Sequence, residues 1–159
     1  PGKGMYSRLY REVLNRYYWA EAAEAFTLIH ADSGLLGIAG ASDPAQAAHL
    51  LHVFCEHFAR LATKEVDPVE LSRARNMLKC NVLTHLESRL VLFEDIGRQV
   101  LTHGRRETPH EVCARIDAVT AEDLMRVARR CLSKPPSIAA VGQDLRHAPS
   151  HADVLKWFS

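Results

Sequence analysis

His30-Ala-Asp-Ser-Gly34-Leu-Leu-Gly-Ile-Ala39-Gly-Ala-Ser-Asp43-Pro44 is the stretch on which the fold turns. Asp32-Ser33-Gly34 is a turn signal, and Leu35 to Ala41 behind it reads as a strand. Phe26-Thr-Leu-Ile-His30 ahead of it alternates and is rich in β-formers, so the two runs make a hairpin. Gly37, Ala39, Gly40 and Ala41 leave the second strand smooth enough for a helix to lie close on it. Asp43-Pro44 then opens that helix, with an acceptor at the cap position and proline at the first helical position.

Three more helices open with the same signal. Asp43-Pro44-Ala-Gln46, Asp67-Pro68-Val-Glu70, Thr108-Pro109-His-Glu111 and Thr120-Ala-Glu-Asp123 each place a capping side chain first and Glu, Gln or Asp three residues later. The helix from Pro44 is predicted to bury Ala47, Leu50, Leu51, Phe54, Phe58 and Leu61. The helix from Pro68 buries Leu71, Ala74, Leu78, Val82 and Leu86. Glu87-Ser88-Arg89 interrupts it, with Ser88 as a new cap. A further helix carries Leu90, Phe93, Ile96, Val100 and Leu101 to His103-Gly104. Val112, Ile116 and Val119 mark the next, and Leu124, Val127, Ala128 and Cys131 the one that Pro135-Pro136 stops. Ser137 to Gly142 is apolar enough for a third, central strand. Asp144 to Ser150 is loop, and a short helix with Val154, Leu155, Trp157 and Phe158 follows.

Ahead of the hairpin, Ala20 to Ala25 is a weak stretch leading into the strand, and Tyr18-Trp19 ends a helical pattern. Met5, Tyr6, Leu9, Tyr10, Val13, Leu14 and Tyr17 fall on one face of that helix, with Arg8, Arg11, Glu12 and Asn15 opposite. Pro1-Gly2-Lys3-Gly4 before it reads as the end of a glycine-rich loop. Such a loop is an ordinary linker, or it holds an anion at a helix N-terminus. No GxGxxG or GxxxxGK[ST] is present to favour the second reading. Tyr17, Tyr18 and Trp19 suit core packing first and peptide contact second. The expected architecture is α+β: an antiparallel or mixed sheet with helices packed on one face. Residues 1–159 read as a single domain, with residues 1–4 as the loop end.

The 159 residues are 47% hydrophobic and 25% charged with a net charge of +1, which gives no argument for nucleic acid or an anionic membrane. No apolar run is long enough to span a bilayer. Cys55, Cys80, Cys113 and Cys131 form no CxxC pair, each falls in a helical pattern, and reduced, mostly buried thiols are expected. The chain begins with Pro rather than Met, as a fragment, a processed product or a trimmed chain would. Met5 with its Arg-rich amphipathic helix does not make a transit peptide, since Glu12 sits among the arginines and serine is scarce.

Three groupings bear on chemistry. His49, His52, Glu56 and His57 share one helix, but His52 and His57 are five residues apart, about 140° around the axis, and cannot both reach one metal ion. They read as surface and boundary histidines. Glu87, Arg89, Glu94, Asp95 and Arg98 form a charged cluster; adjacent Glu94 and Asp95 diverge by about 100°, so they make no catalytic dyad, and a salt-bridged surface or interface is expected ahead of a substrate site. Ser33, Ser42 and His30 have no nucleophile–base partner that sequence can place.

Pro1-Gly-Lys-Gly-Met-Tyr-Ser-Arg-Leu-Tyr10-Arg-Glu-Val-Leu-Asn15, His30 to Pro44, and Leu86-Glu-Ser-Arg-Leu90-Val-Leu-Phe-Glu-Asp95-Ile-Gly-Arg-Gln-Val100-Leu101 together resemble the α-subunit family of the mitochondrial processing peptidase. That family lies within the pitrilysin/insulysin-type metallopeptidases, and it is similar to core proteins of the ubiquinol–cytochrome c reductase complex. The first and third segments are the specific ones. The resemblance covers nearly the whole chain and implies the C-terminal part of a larger two-domain subunit. It implies that Pro1, Gly2, Lys3, Gly4 and Met5 close a glycine-rich loop that engages presequence peptides. The zinc motif of the superfamily is HxxEH, which His52-Val-Phe-Cys-Glu56-His57 misses by one residue. The resemblance therefore implies no cofactor in this chain, zinc in a catalytic β-type partner, a heterodimer with that partner, and the mitochondrial matrix or the matrix side of the inner membrane. The alternative it implies is a structural core subunit among respiratory-complex subunits. Family members usually carry Pro where this chain has Leu90, which agrees with a helix break there.

Overall fold

The structure, a computed structural model, describes residues 5–30 and 32–157. Two compact units divide the chain, one running up to Glu65 and resuming at Glu122, the other spanning Val66–Ala121.

The first unit is built on the hairpin. Strands β1 (Ala20–Ile29) and β2 (Gly34–Ser42) pair antiparallel, with Phe26 opposite Gly37 and Ala23 opposite Gly40. The loop closes through the His30 N–H donating to the Ser33 carbonyl at 2.9 Å. β1 begins at Ala20, so Ala20 to Ala25 is strand and not a weak lead-in. Ala-Glu-Ala-Ala-Glu has little β-preference of its own; the ladder to Ser42 and Ala41 imposes the conformation. Asp43 accepts from the Ala45 N–H at 2.9 Å and starts a 3-10 turn (Pro44–Gln46), which runs into α1 (Ala47–Thr63). α1 buries Leu50, Val53, Phe54 and His57, an i, i+3, i+4, i+7 stripe. The smooth strand serves this stripe: a Cβ at Gly40 would come within 2.4 Å of the Phe54 ring and 2.6 Å of the Ala22 carbonyl. Val13, Ala20, Leu50, Val53 and Phe54 form the core, with Leu9, Leu14, Tyr17, Trp19, Ala23 and Ile38 packed around it.

The N-terminal helix is shorter than its periodicity suggests. Met5 and Tyr6 are exposed, Ser7 Oγ accepts from the Tyr10 N–H at 3.3 Å, and Tyr10–Leu14 form a π turn closed by Asn15 N–H to the Tyr10 carbonyl at 2.9 Å. α5 (Ala121–Leu132) belongs to this unit, where Ala128 is buried and Arg129 Nε donates 2.8 Å to the Ala62 carbonyl in the last turn of α1. The predicted third strand, Ser137 to Gly142, is not one: it is irregular, and Val141 is fully exposed. Its apolarity matches a central strand, yet no described strand lies beside it to complete a ladder. α6 (His151–Leu155) closes the unit, with Ser150 capping the Asp153 N–H and Val154 fully buried. Phe158 lies outside the described residues.

The second unit contains α2 (Pro68–Leu86), α3 (Arg89–His103) and α4 (Pro109–Ala118), with α2 against both neighbours. Asp67 caps α2 by accepting from Val69 and Glu70 N–H groups at 2.7 and 3.2 Å. Thr108 and Glu111 form a reciprocal capping box on α4, at 3.3 and 2.6 Å. The α2–α3 break falls at Ser88, whose extended backbone ends one helix and starts the next, but its side chain makes no capping bond. Lys79 Nζ meets Asp117 at 2.7 Å, and Arg75 donates to the Val119 carbonyl, so α2 is tied to α4 by polar contacts. Leu71 is buried, whereas Ala74 and Leu78 are exposed, contrary to the predicted stripe. Leu90 is 70%, Phe93 74% and Leu101 88% exposed, so most of the apolar face of α3 is uncovered among the described residues.

All four cysteines are free, but only Cys55 is buried; Cys113 is half-buried, and Cys80 and Cys131 are exposed, against the expectation of mostly buried thiols. Burial pushes the Cys55 thiol up to about 11. Alkylation at neutral pH is expected to label Cys80 and Cys131 readily and leave Cys55 unmodified until the chain unfolds. Peptide mapping after a timed iodoacetamide pulse checks this, and early modification of Cys55 would contradict its burial.

Candidate functional site

Pro1, Gly2, Lys3 and Gly4 lie outside the described residues, and Met5 is the first of the five predicted contact residues to be placed. It stands exposed beside Tyr6, whose ring has the Arg11 guanidinium 5.9 Å from its centroid. Behind it the π turn brings Glu12 to α1. Arg60 Nη1 donates to Glu12 Oε2 at 2.7 Å, across 48 residues of sequence, and His57 Nδ1 lies 3.9 Å from the same oxygen. His57 is buried, and its Nδ1 has no hydrogen-bond partner. Sequence periodicity placed Glu12 on a solvated face, so this cluster was not foreseen; a π turn and a 48-residue separation leave no local signal for it.

The electrostatics follow from that packing. Burial lowers the His57 pKa, the Glu12 carboxylate pulls it back, and Arg60 opposes; the ring ends below the ordinary imidazole value. Burial works to raise Glu12, but the Arg60 hydrogen bond and charge prevail and hold it below the usual carboxylate range. An unfolded chain takes up a proton at His57 near pH about 6.5, which the buried ring resists, so acidification below that value favours unfolding. The Glu12 contribution is complete above the ordinary carboxylate pKa and is lost as pH falls through its depressed value. The urea midpoint of the first unit is therefore expected to fall from about pH 7 to about pH 5, and His57→Gln should flatten that part of the curve. A midpoint that rises on acidification in this range would contradict the assignment.

Tyr17, Trp19 and His49 make an aromatic group, with Trp19–His49 centroids at 4.7 Å and Tyr17–Trp19 at 5.0 Å. Tyr17 and Trp19 pack on the core, while Tyr18, for which core packing was the first expectation, is 99% exposed. His52 is exposed and meets Trp157 edge-on at 5.0 Å. His52 and His57 thus face different surroundings, as their spacing requires. Among the described residues no group of three or more His, Cys, Asp or Glu side chains is placed to hold a metal ion, and Glu12 is already engaged by Arg60.

In the second unit a groove of about 280 Å³ lies among α2, α3 and α4, walled by Val82, Leu86, Val91 and Val112 with Asp95 and Glu107 at its polar side. The charged cluster at the helix break resolves differently from expectation. Asp95 binds the Gln99 amide at 2.8 and 2.9 Å and has Arg106 at 3.8 Å, while Gln99 Oε1 accepts from the Glu107 N–H at 2.7 Å. Asp95 thus organises the α3–α4 connection, through Gln99 and Arg106, which the sequence reading had not included.

Residues 2–78 match the protein family described as Peptidase M16 inactive domain. The class to which this match points is that of M16 inactive domains. The chain is, more particularly, a homologue of mitochondrial-processing peptidase α subunits. It is 43% identical over 97% of its length to "Mitochondrial-processing peptidase subunit alpha" of Rattus norvegicus, spanning 29% of that protein. The same figures hold for the Homo sapiens protein, and the Solanum tuberosum protein is 41% identical over 99% of this chain. The chain therefore spans about a third of the length of these relatives. A chain of "Complex III2 from Candida albicans, Inz-5 bound" superposes with a TM-score of 0.70 over 79% of this chain and 30% of that one, at 22% identity, which establishes the shared fold.

Proposed function

We propose that the chain is the C-terminal part of a non-catalytic, substrate-recognising subunit of a mitochondrial presequence-processing peptidase. The observation that carries this reading is the identity to α subunits along 97% of the chain, and the inactive-domain match supports it. Pro1, Gly2, Lys3, Gly4 and Met5 close the loop that meets the presequence, and the zinc belongs to a β-type partner in a heterodimer on the matrix side. The fold shared with a chain of a respiratory complex favours a second reading, a structural core subunit. It ranks behind the first because it rests on shape at 22% identity. A presequence peptide carrying a photoreactive group tests the choice in the full-length heterodimer. Cross-links at residues 1–5 and Tyr6 are expected; cross-links confined to other parts of both subunits would overturn the loop assignment.

A further inference from the structure

We infer that the groove among α2, α3 and α4 binds a small amphipathic carboxylate, a medium-chain fatty acid anion, with its tail on the apolar walls and its head on Arg98. The site lies within the second unit alone and does not depend on the presequence-recognition reading.

Each wall comes from one face of a helix. Val82, His85 and Leu86 stand at i, i+3 and i+4 on α2, and Val91, Asp95 and Arg98 at i, i+4 and i+7 on α3. Val112 of α4 completes the lining. The three valines and Leu86 are only half-buried, so a ligand tail that covers them removes further apolar surface from water. The groove holds about 280 Å³. That is room for about nine non-hydrogen atoms, at roughly the 30 Å³ that a water molecule occupies in the liquid.

Charge decides what the head of the ligand must be. Asp95 takes two hydrogen bonds from the Gln99 amide, at 2.8 and 2.9 Å, and has Arg106 at 3.8 Å. Glu107 takes two from Arg115, both at 2.8 Å, and has Arg105 at 3.7 Å. Both carboxylates of the groove are thus matched from within the fold. Arg98 is not matched: among the described residues its guanidinium makes no hydrogen bond and no ion pair. A guanidinium presents paired N–H donors in the geometry that a carboxylate accepts, and the His85 ring beside it offers a further N–H. An amine would face an unmatched cation. A carboxylate without a tail would leave the walls wet.

The test is a titration of the 159-residue chain with sodium octanoate, followed by calorimetry and by amide NMR shifts. Saturable one-to-one binding is expected, with Kd below about 1 mM and the largest shifts at Val82, Leu86, Val91, Arg98 and Val112. Octylamine, which keeps the tail, and acetate, which keeps the head, should each bind at least about tenfold more weakly. Arg98→Gln should weaken octanoate about tenfold, the scale of one charge-assisted contact, and Arg98→Lys should weaken it less. Arg98 is exposed, so both variants should fold as the parent does. Arg16→Gln, a loss of the same charge in the first unit, should leave octanoate binding unchanged. Absence of saturable binding, or shifts confined to the first unit, would overturn the site. Equal affinity for octylamine, or an unchanged Kd in Arg98→Gln, would overturn the carboxylate assignment. Tighter binding of a short peptide ending in Leu-Leu carboxylate than of octanoate would overturn the fatty acid in favour of a protein C-terminus.

Discussion

Phe54→Ala should cost the first unit about 3–5 kcal/mol, enough to unfold a marginally stable domain. The ring is buried at the middle of α1 and lies on the bare backbone of Gly40, where no side chain can fill the space it leaves. Leu50 and Val53 belong to the same buried cluster. Gly40→Ala attacks the same contact from the strand side. Its methyl would overlap the ring at 2.4 Å and the Ala22 carbonyl at 2.6 Å, so a cost of about 1–3 kcal/mol is expected. Because both changes act on one contact, their costs should not add: Gly40→Ala should cost less once Phe54 is Ala, with the clash against the Ala22 carbonyl as the remainder. Urea denaturation of the four proteins in the cycle measures this. Additive costs would mean that α1 does not rest on the glycine-lined strand.

Gly2→Ala with Gly4→Ala in the full-length heterodimer should slow presequence processing about tenfold, mainly through weaker peptide binding. The proposal gives these glycines to a loop that closes on the peptide, where an added Cβ restricts the backbone angles open to the loop and obstructs close approach. Melting temperature and heterodimer assembly should hardly change, since no buried apolar group is removed. Leu9→Ala is the contrasting change. Leu9 packs against the core cluster, and its truncation should cost about 2–5 kcal/mol in stability. Processing at the wild-type rate and affinity by the double glycine variant would reduce the loop to a linker and move the core-subunit reading ahead.

Where signals are local, the sequence was legible. Asp43, Asp67 and Thr108 each hold the N–H groups that their spacing promised, because a cap is decided within four residues. The hairpin was legible from Asp32-Ser33-Gly34 and the strand-like runs on either side of it. What escaped depends on distant partners. Ala20 to Ala25 becomes strand only because Gly40, Ala41 and Ser42 pair with it, and Ser137 to Gly142 stays irregular without such a neighbour. Leu90, Phe93 and Leu101 form a proper helical stripe, yet periodicity alone does not say what covers a stripe. At the candidate site Met5 could be named from resemblance. Glu12 and Arg60 could not, since their contact needs both the π turn and the fold of α1 around the core.

Cleavage of a presequence peptide measured for the full-length subunit alone, the β-type partner alone and the two together tests the central claim most directly. A recognition subunit without a zinc site should be inert alone, should bring no zinc of its own to the pair, and should raise cleavage by its partner at least about tenfold through binding. Chelator-sensitive cleavage by the subunit alone, or a partner that processes the peptide equally well without it, would contradict the account.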